Sequence, residues 1–229
     1  MIVIHNFPPQ VFKNASCPHA LSVALITTFL VVATGFSQQE PSAQSATETK
    51  STDTPTTFEV DDVHSMALFR VQHMGAGRFW GLFNDVSGSI QYTPENSLSL
   101  NIAIQTESVD SNNEQLDRHL KSPDFFNSVE FPQMTFVSIS AKHIESGRFE
   151  VVGDLTIHGV KKRVTVSVEC SSISKLGGKT RAGFEASFEI KRSDFGVSYG
   201  VEKKVLGDET RIIVSLEGIE PGSAPKRKE

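Results

Sequence analysis

Five histidines, His64, His73, His119, His143 and His158, and one thiol, Cys170, are the side chains in the central part of this chain best equipped to hold a metal or attack a substrate. A metal site needs several such ligands at close, same-face spacing, and none of these histidines falls in an H-E-x-x-H or comparable arrangement. His119 lies in a predicted helix and His158 beside a turn glycine, where histidines ordinarily make structural hydrogen bonds. Nucleophilic chemistry finds as little support. Gly196-Val197-Ser198-Tyr199-Gly200 has the G-x-S-x-G spacing, but no helical pattern follows it as a nucleophile elbow requires. There is no glycine-rich phosphate loop, and Cys170 sits in a predicted strand without a base nearby. Four cations, Arg78, Arg118, Lys121 and Arg192, fall near predicted strand ends or on the helix, where a guanidinium can meet a phosphate or a carbonyl. Arg192 stands in Arg192-Ser193-Asp194-Phe195, and its rival use is an internal pair with Asp194.

The elements that carry these residues are strands. Leu98, Leu100, Ile102 and Ile104 alternate with polar or small residues, as do Val164, Val166 and Val168, then Phe184, Ala186, Phe188 and Ile190. Phe149, Val151, Gly153, Leu155 and Ile157 form one face of another run, and Ile212, Val214 and Leu216 one face of the last. A period of two with one dry face is the mark of antiparallel sheet. With the less regular Met66–His73, Arg78–Phe83, Val86–Tyr92 and Met134–Ile139, eight or nine strands are expected. One helix interrupts them. Ser111-Asn112-Asn113-Glu114 has the S-x-x-E form of a capping box, Leu116 and Leu120 share a face, and Pro123 ends the run. Such a helix suits a lid over an open end.

Eight amphipathic antiparallel strands stack as a sandwich or close as a barrel, and a barrel of eight either fills its interior or leaves room for one small ligand. Composition sharpens the choice of contents rather than of shape. Sixteen Phe against two Tyr and one Trp make an interior with few polar handles. A net charge of −5 disfavours general nucleic-acid binding. Two cysteines, Cys17 and Cys170, cannot build a disulfide framework.

The ends read differently. Lys13 is the single charged side chain before an uncharged run from Ala20 to Phe36, and small residues close that run. Residues 1–37 are therefore expected to be a signal peptide, cleaved between about Phe36 and Glu40, with an uncleaved anchor as the alternative. Residues 38–57, rich in Ser, Thr, Gln and Pro, bury too little to order themselves and form a tether. Residues 58–219 form one domain, and residues 220–229 a loose tail.

Several stretches of that domain resemble one family. Asp62-Val63-His64-Ser65, Phe69-Arg70-Val71-Gln72-His73-Met74 and Gly81-Leu82-Phe83-Asn84-Asp85-Val86-Ser87-Gly88 are similar to the N-terminal half of the YceI-like lipid/polyisoprenoid-binding domain. Asp117-Arg118-His119-Leu120-Lys121-Ser122-Pro123-Asp124-Phe125-Phe126-Asn127, followed by Phe131-Pro132, resembles its most recognisable segment. Gly153-Asp154-Leu155-Thr156-Ile157-His158-Gly159-Val160 and Arg192-Ser193-Asp194-Phe195-Gly196-Val197 resemble its two C-terminal motifs. Leu116 stands where the family usually has Arg, and Lys191 where it often has Asn, two departures that bear on headgroup preference.

The resemblance implies an all-β fold, a lipocalin-like antiparallel eight-stranded barrel with one helix inserted between strands, in a protein exported to the periplasm or secreted. It implies a lumen holding a long-chain isoprenoid, such as a polyprenyl phosphate or quinone, or another apolar lipid, for sequestration or transport. Burial of such a chain is worth roughly 0.8 kcal/mol per methylene, without any specific polar contact. The alternation nominates Phe69, Phe79, Leu100, Ile102, Phe136, Leu155, Phe184 and Phe188 as lumen residues, and Arg192 as the headgroup candidate. No catalytic residue, metal or cofactor is expected beyond the bound lipid itself. Nucleic acid is excluded as a partner, and a homodimer is left open. The competing readings are a lumen-based isomerase or cyclase, and a structural barrel without a ligand.

Overall fold

Twelve antiparallel strands arise from the alternating segments, in a computed structural model that describes residues 54–222 except residue 146. In chain order these are β1 (Thr56–Val60), β2 (Met66–His73), β3 (Gly77–Phe83), β4 (Val86–Thr93), β5 (Ser97–Gln105) and β6 (Val109–Asp110). The helix α1 (Glu114–Leu120) follows, then β7 (Gln133–Glu145), β8 (Arg148–Ile157), β9 (Val160–Cys170), β10 (Ser174–Leu176), β11 (Lys179–Lys191) and β12 (Leu206–Ile219). The expected signal peptide, most of the tether and the end of the tail lie outside the described residues.

Eight strands close a ring in the order β1-β4-β5-β7-β8-β9-β11-β12, completed by pairing of β12 with β1. The expected eight-stranded antiparallel barrel with an inserted helix is the observed architecture. The long β12 makes closure possible. One edge pairs with β11 from Arg181–Ile219 to Lys191–Glu209. The other edge is shared, with β2 along residues 206–215 and β1 at Gly218 and Ile219. The β2–β3 hairpin thus extends the wall at one end of the barrel, and β6 adds a short pairing to β3. Strand β1 begins at Thr56, inside the stretch read as tether. Thr56 and Thr57 are held there by their register with Tyr92 and Gln91, a backbone ladder that hydropathy does not reveal.

The interior is solid at one end. Phe58 and Phe149 are fully buried, and the Tyr92 ring packs edge-on against Phe149 and Phe184 at 6.2 and 5.4 Å. Phe58 meets Phe184 at 6.2 Å. Cys170 lies against this cluster, where burial pushes its thiol up to about 12, only partly offset by its hydrogen bond with Tyr92. Such a thiol is unreactive at neutral pH. The other end is covered by the segment from α1 to Phe131.

That helix starts two residues later than the capping box predicts. Asn112 takes a left-handed φ of 62°, and its amide donates to Asp110 Oδ1 at 2.7 Å, so the chain turns before it coils. Asn113 is the N-cap, accepting from the Leu116 amide at 3.0 Å. Ser111 instead anchors the turn from outside, with its amide and hydroxyl both donating to Asp117 Oδ1 at 2.7 and 2.6 Å. Lys121 then ties the helix to the wall through Glu107 at 2.8 Å.

Candidate functional site

Between the packed end and the helix the alternating apolar faces enclose a cavity of about 590 Å³. Seven of the eight nominated side chains line it: Phe69 and Phe79 from the β2–β3 hairpin, Leu100 and Ile102 from β5, Phe136 from β7, Leu155 from β8 and Phe188 from β11. Phe184 does not. It points inward from the same strand as Phe188 but belongs to the packed end, held by Phe58 and Tyr92. Two glycines give the cavity its width. A Cβ on Gly81 would lie 2.4 Å from Phe69 Cζ, and one on Gly153 would lie 2.4 Å from Phe136 Cζ. Both rings therefore lie along bare backbone.

The helix and the turns after it act as the cover. Leu116, His119, Leu120, Phe125 and Phe126 face the cavity, and Phe126 packs on Phe69 and Phe83 at 5.9 and 5.0 Å. At the rim His119 stacks edge-on against Phe125 and Tyr199 at 5.0 and 5.2 Å, with its Nε2 2.9 Å from Asp124 Oδ2. His73 and Arg78, at the tip of the β2–β3 hairpin, add polar groups to the lining, as do Thr135 and Thr210 from the wall. Val71, Ile104 and Ile190 also line the cavity and are not among the nominated residues, although Ile104 and Ile190 belong to the alternating faces recognised in the sequence. Phe126 carries no periodic signal, because it reaches the cavity from a turn.

Arg192 lines the cavity wall but its guanidinium is directed into the protein. Nε donates to Gly207 O at 2.8 Å, Nη1 to Val197 O at 2.9 Å and Nη2 to Tyr199 O at 2.8 Å. The side chain is 8% exposed. Burial lowers its pKa from the ordinary arginine value, partly offset by Asp208. The rival Arg192–Asp194 pair is not formed: Asp194 meets Lys162 at 3.4 Å, while Asp208 binds the Ser193 amide and hydroxyl. In this arrangement the guanidinium donors meet backbone carbonyls rather than turning toward a headgroup. The arginine staples the two halves of the 197–207 loop. Of the two departures from the family pattern, Leu116 adds hydrocarbon to the cavity, whereas Lys191 points outward and does not touch it.

The remaining histidines are dispersed. His158 stacks on Phe131 at 4.5 Å and His143 packs on Phe149 at 5.2 Å, each with a buried Nε2 that finds no hydrogen-bond partner. His64 alone joins carboxylates, in a cluster with Asp61 and Glu217 whose ligand atoms lie within 4.8 Å of one another. Arg181 already serves as its cation, donating to Asp61 at 3.0 Å and to Glu217. Burial would raise the Asp61 carboxyl, but hydrogen bonds from His64, Arg181 and the Val63 amide together hold it below the usual value. This cluster fastens the β1–β2 turn to β11 and β12, away from the cavity.

Comparison with known proteins places this geometry among relatives. The sequence pattern of the family described as the YceI-like domain matches residues 58–218. Protein YceI of Escherichia coli O157:H7 is 37% identical over 161 residues, covering 69% of this chain and 82% of that protein. Among solved structures, BcnA of Burkholderia cenocepacia superposes with a TM-score of 0.61 at 27% identity, over 69% of this chain and 98% of that one. A polyisoprenoid binding domain from Saccharophagus degradans shares the fold, with a TM-score of 0.58 at 15% identity, over 72% of this chain and 98% of that domain.

Proposed function

Because the chain belongs to the YceI-like domain family, we propose that it is an exported binding protein whose barrel holds one long apolar chain of the isoprenoid class, for sequestration or transport. The cavity carries the proposal. It is closed by aromatic packing at one end and walled by Phe, Leu, Ile and Val, and its histidines, Arg78 and Tyr199 gather at the covered end. An apolar tail would point toward Phe136 and Leu155, and a polar end would emerge near His73, Arg78, His119 and Tyr199.

The size supports a partial fit. If a methylene fills about the 30 Å³ that a water occupies in the liquid, 590 Å³ seats roughly 20 carbon atoms. Their burial is worth roughly 16 kcal/mol gross. Association and ordering cost about 4–15 kcal/mol, which leaves about 1–12 kcal/mol of net binding without specific polar contacts. Longer chains would project through the cover. Binding rather than turnover is supported by the lining, which is overwhelmingly apolar and in which the buried arginine is committed to backbone carbonyls. The name of the Saccharophagus degradans domain agrees with this ligand class, and the apolar run from Ala20 to Phe36 supports export.

Native mass spectrometry with lipid extraction, on protein purified from its own host, tests the ligand. A copurified isoprenoid released on unfolding is the expected result. A protein without lipid and without affinity for prenyl alcohols or quinones would overturn the reading. Terminal sequencing of the same material tests export, with an N-terminus between about Phe36 and Glu40 expected.

A further inference from the structure

The β2–β3 hairpin has two unlike faces. Phe69, Val71 and Phe79 point into the cavity, while of the residues on the opposite face only Leu68 and Arg78 also border it. Register sets them in rows across β12, β2 and β3: Ile213 beside Leu68 beside Leu82, and Arg211 beside Arg70 beside Trp80. Trp80 is 43% exposed and Met66 39%, and Met74 at the hairpin tip is 67% exposed. The Arg70 guanidinium lies 5.6 Å from the Trp80 ring.

From Met66 to Phe83 the sequence contains no Asp or Glu, in a chain whose net charge is −5. Carboxylates border this face at its two margins: Glu189, Asp208 and Glu209 on the β11 and β12 side, and Asp110 beside Leu82 on the β6 side, where Asn84 and the Asn112 amide bind it. Arg70, Arg78 and Arg211 make no ion pair within 4 Å among the described residues. Arg78 borders both the outer cleft and the cavity, so this surface runs into the rim. Exposed Trp, aliphatic side chains and arginines without carboxylate partners are the combination that settles at the boundary between lipid headgroups and acyl chains.

We propose that the outer face of the β2–β3 hairpin docks on an anionic lipid bilayer and sets the cavity rim against it, the position from which a lipid can pass in or out. The purpose of this docking rests on the lipid-binding reading above, but the contact itself does not. Trp80 and Met74 enter the interface, and Arg70, Arg78 and Arg211 meet the phosphates. A protein partner is less well served. Its surface would need to match a flat arginine-rich sheet face, whereas a fluid headgroup layer adapts to it.

Trp80 is the sole tryptophan, so emission from the full chain reports this face whatever the N-terminal apolar run does. Phosphatidylglycerol-containing vesicles should shift the emission to the blue, and brominated phosphatidylcholine in those vesicles should quench it. Pure phosphatidylcholine vesicles should do so more weakly. The double variant Arg70→Gln/Arg211→Gln, whose residues lie outside the cavity, should weaken the anionic-vesicle response about 25-fold, because two cationic side chains no longer meet the phosphates. Vesicle binding without quenching overturns the proposal. So does a blue shift that grows with protein concentration in the absence of vesicles, which would mean that a second copy covers this face. Mass spectrometry of the lumen contents on the same samples separates the two readings. Lipid-loaded protein with a silent Trp80 defeats docking alone, and quenched Trp80 on a protein unable to hold lipid defeats the carrier function alone.

Discussion

Replacing Arg192 by Met distinguishes a staple from a headgroup ligand. The substitution removes three short hydrogen bonds from a charged donor, to Gly207, Val197 and Tyr199, and a longer one to Leu206 at 3.5 Å. Bonds of this kind are worth about 1.5–3 kcal/mol each, so the gross loss is roughly 5 kcal/mol or more. Part is returned, since a buried cation no longer has to be desolvated. The net destabilisation should be about 3 kcal/mol. For a domain of this size that corresponds to a fall in Tm of about 6–12 °C. Hydrogen exchange should accelerate across residues 197–207 and stay slow in β8 and β9. Arg192→Lys is the informative control. It keeps the charge, but one ammonium cannot span carbonyls on both sides of the loop, so it should lose nearly as much stability as Met. Thermal denaturation and exchange mass spectrometry measure both effects. A Lys variant with unchanged Tm and unchanged exchange would refute the staple. A fully stable Met variant that loses its lipid would restore Arg192 to the ligand.

Phe184→Ala should cost about 3–5 kcal/mol, as in any packed core, whereas Phe188→Ala should cost under about 2 because a cavity already adjoins it. Urea denaturation gives both values, and copurified lipid should fall only for Phe188→Asp and Phe188→Ala. Asn113→Ala should cost about 1 kcal/mol and expose the Leu116 amide to exchange, while Ser111→Ala leaves that amide protected. Asp61 has a lower pKa folded than unfolded, where about 3.9 is normal, so its stabilisation is complete above that value and drains as pH falls through the folded one. Asp61→Asn should therefore be less stable at neutral pH and show a flatter acid dependence, read from Tm between pH 7 and pH 3.

How far the sequence reveals this fold depends on what holds each strand. β5 and β8 bury nearly every second side chain, and β11 and β12 turn every second apolar side chain inward, so hydropathy exposes them directly, and β2 runs over the predicted Met66–His73. β1 has five residues, of which Phe58 alone is fully buried, and β10 has three exposed residues secured by pairing with β11. Their ladders involve partners far away in the chain or too few side chains to set a period, so neither announces itself. The misplaced helix cap has the same origin. Ser111 and Glu114 have the right spacing, but Asp110 and Asp117 compete for the local amides and move the helix start to Asn113.

The cavity illustrates where periodicity stops. Phe184 and Phe188 occupy the same face of one strand, two inward positions apart, and sequence treats them alike. Their difference lies in what stands opposite. Across from Phe184, the shared β12 edge gives way to β1, which brings Phe58, and β4 brings Tyr92. Beside Phe188, the partner is Ile212, whose own neighbour is Phe69 on the hairpin, spread over Gly81. One end of the barrel is therefore filled by rings from four strands, while the other has its rings laid against the wall. A pattern of inward residues determines that a barrel has an interior. Whether that interior is solid or hollow is decided by side chains that meet only after the chain has closed, with glycines at Gly81 and Gly153 removing the atoms that would otherwise push those rings across the lumen.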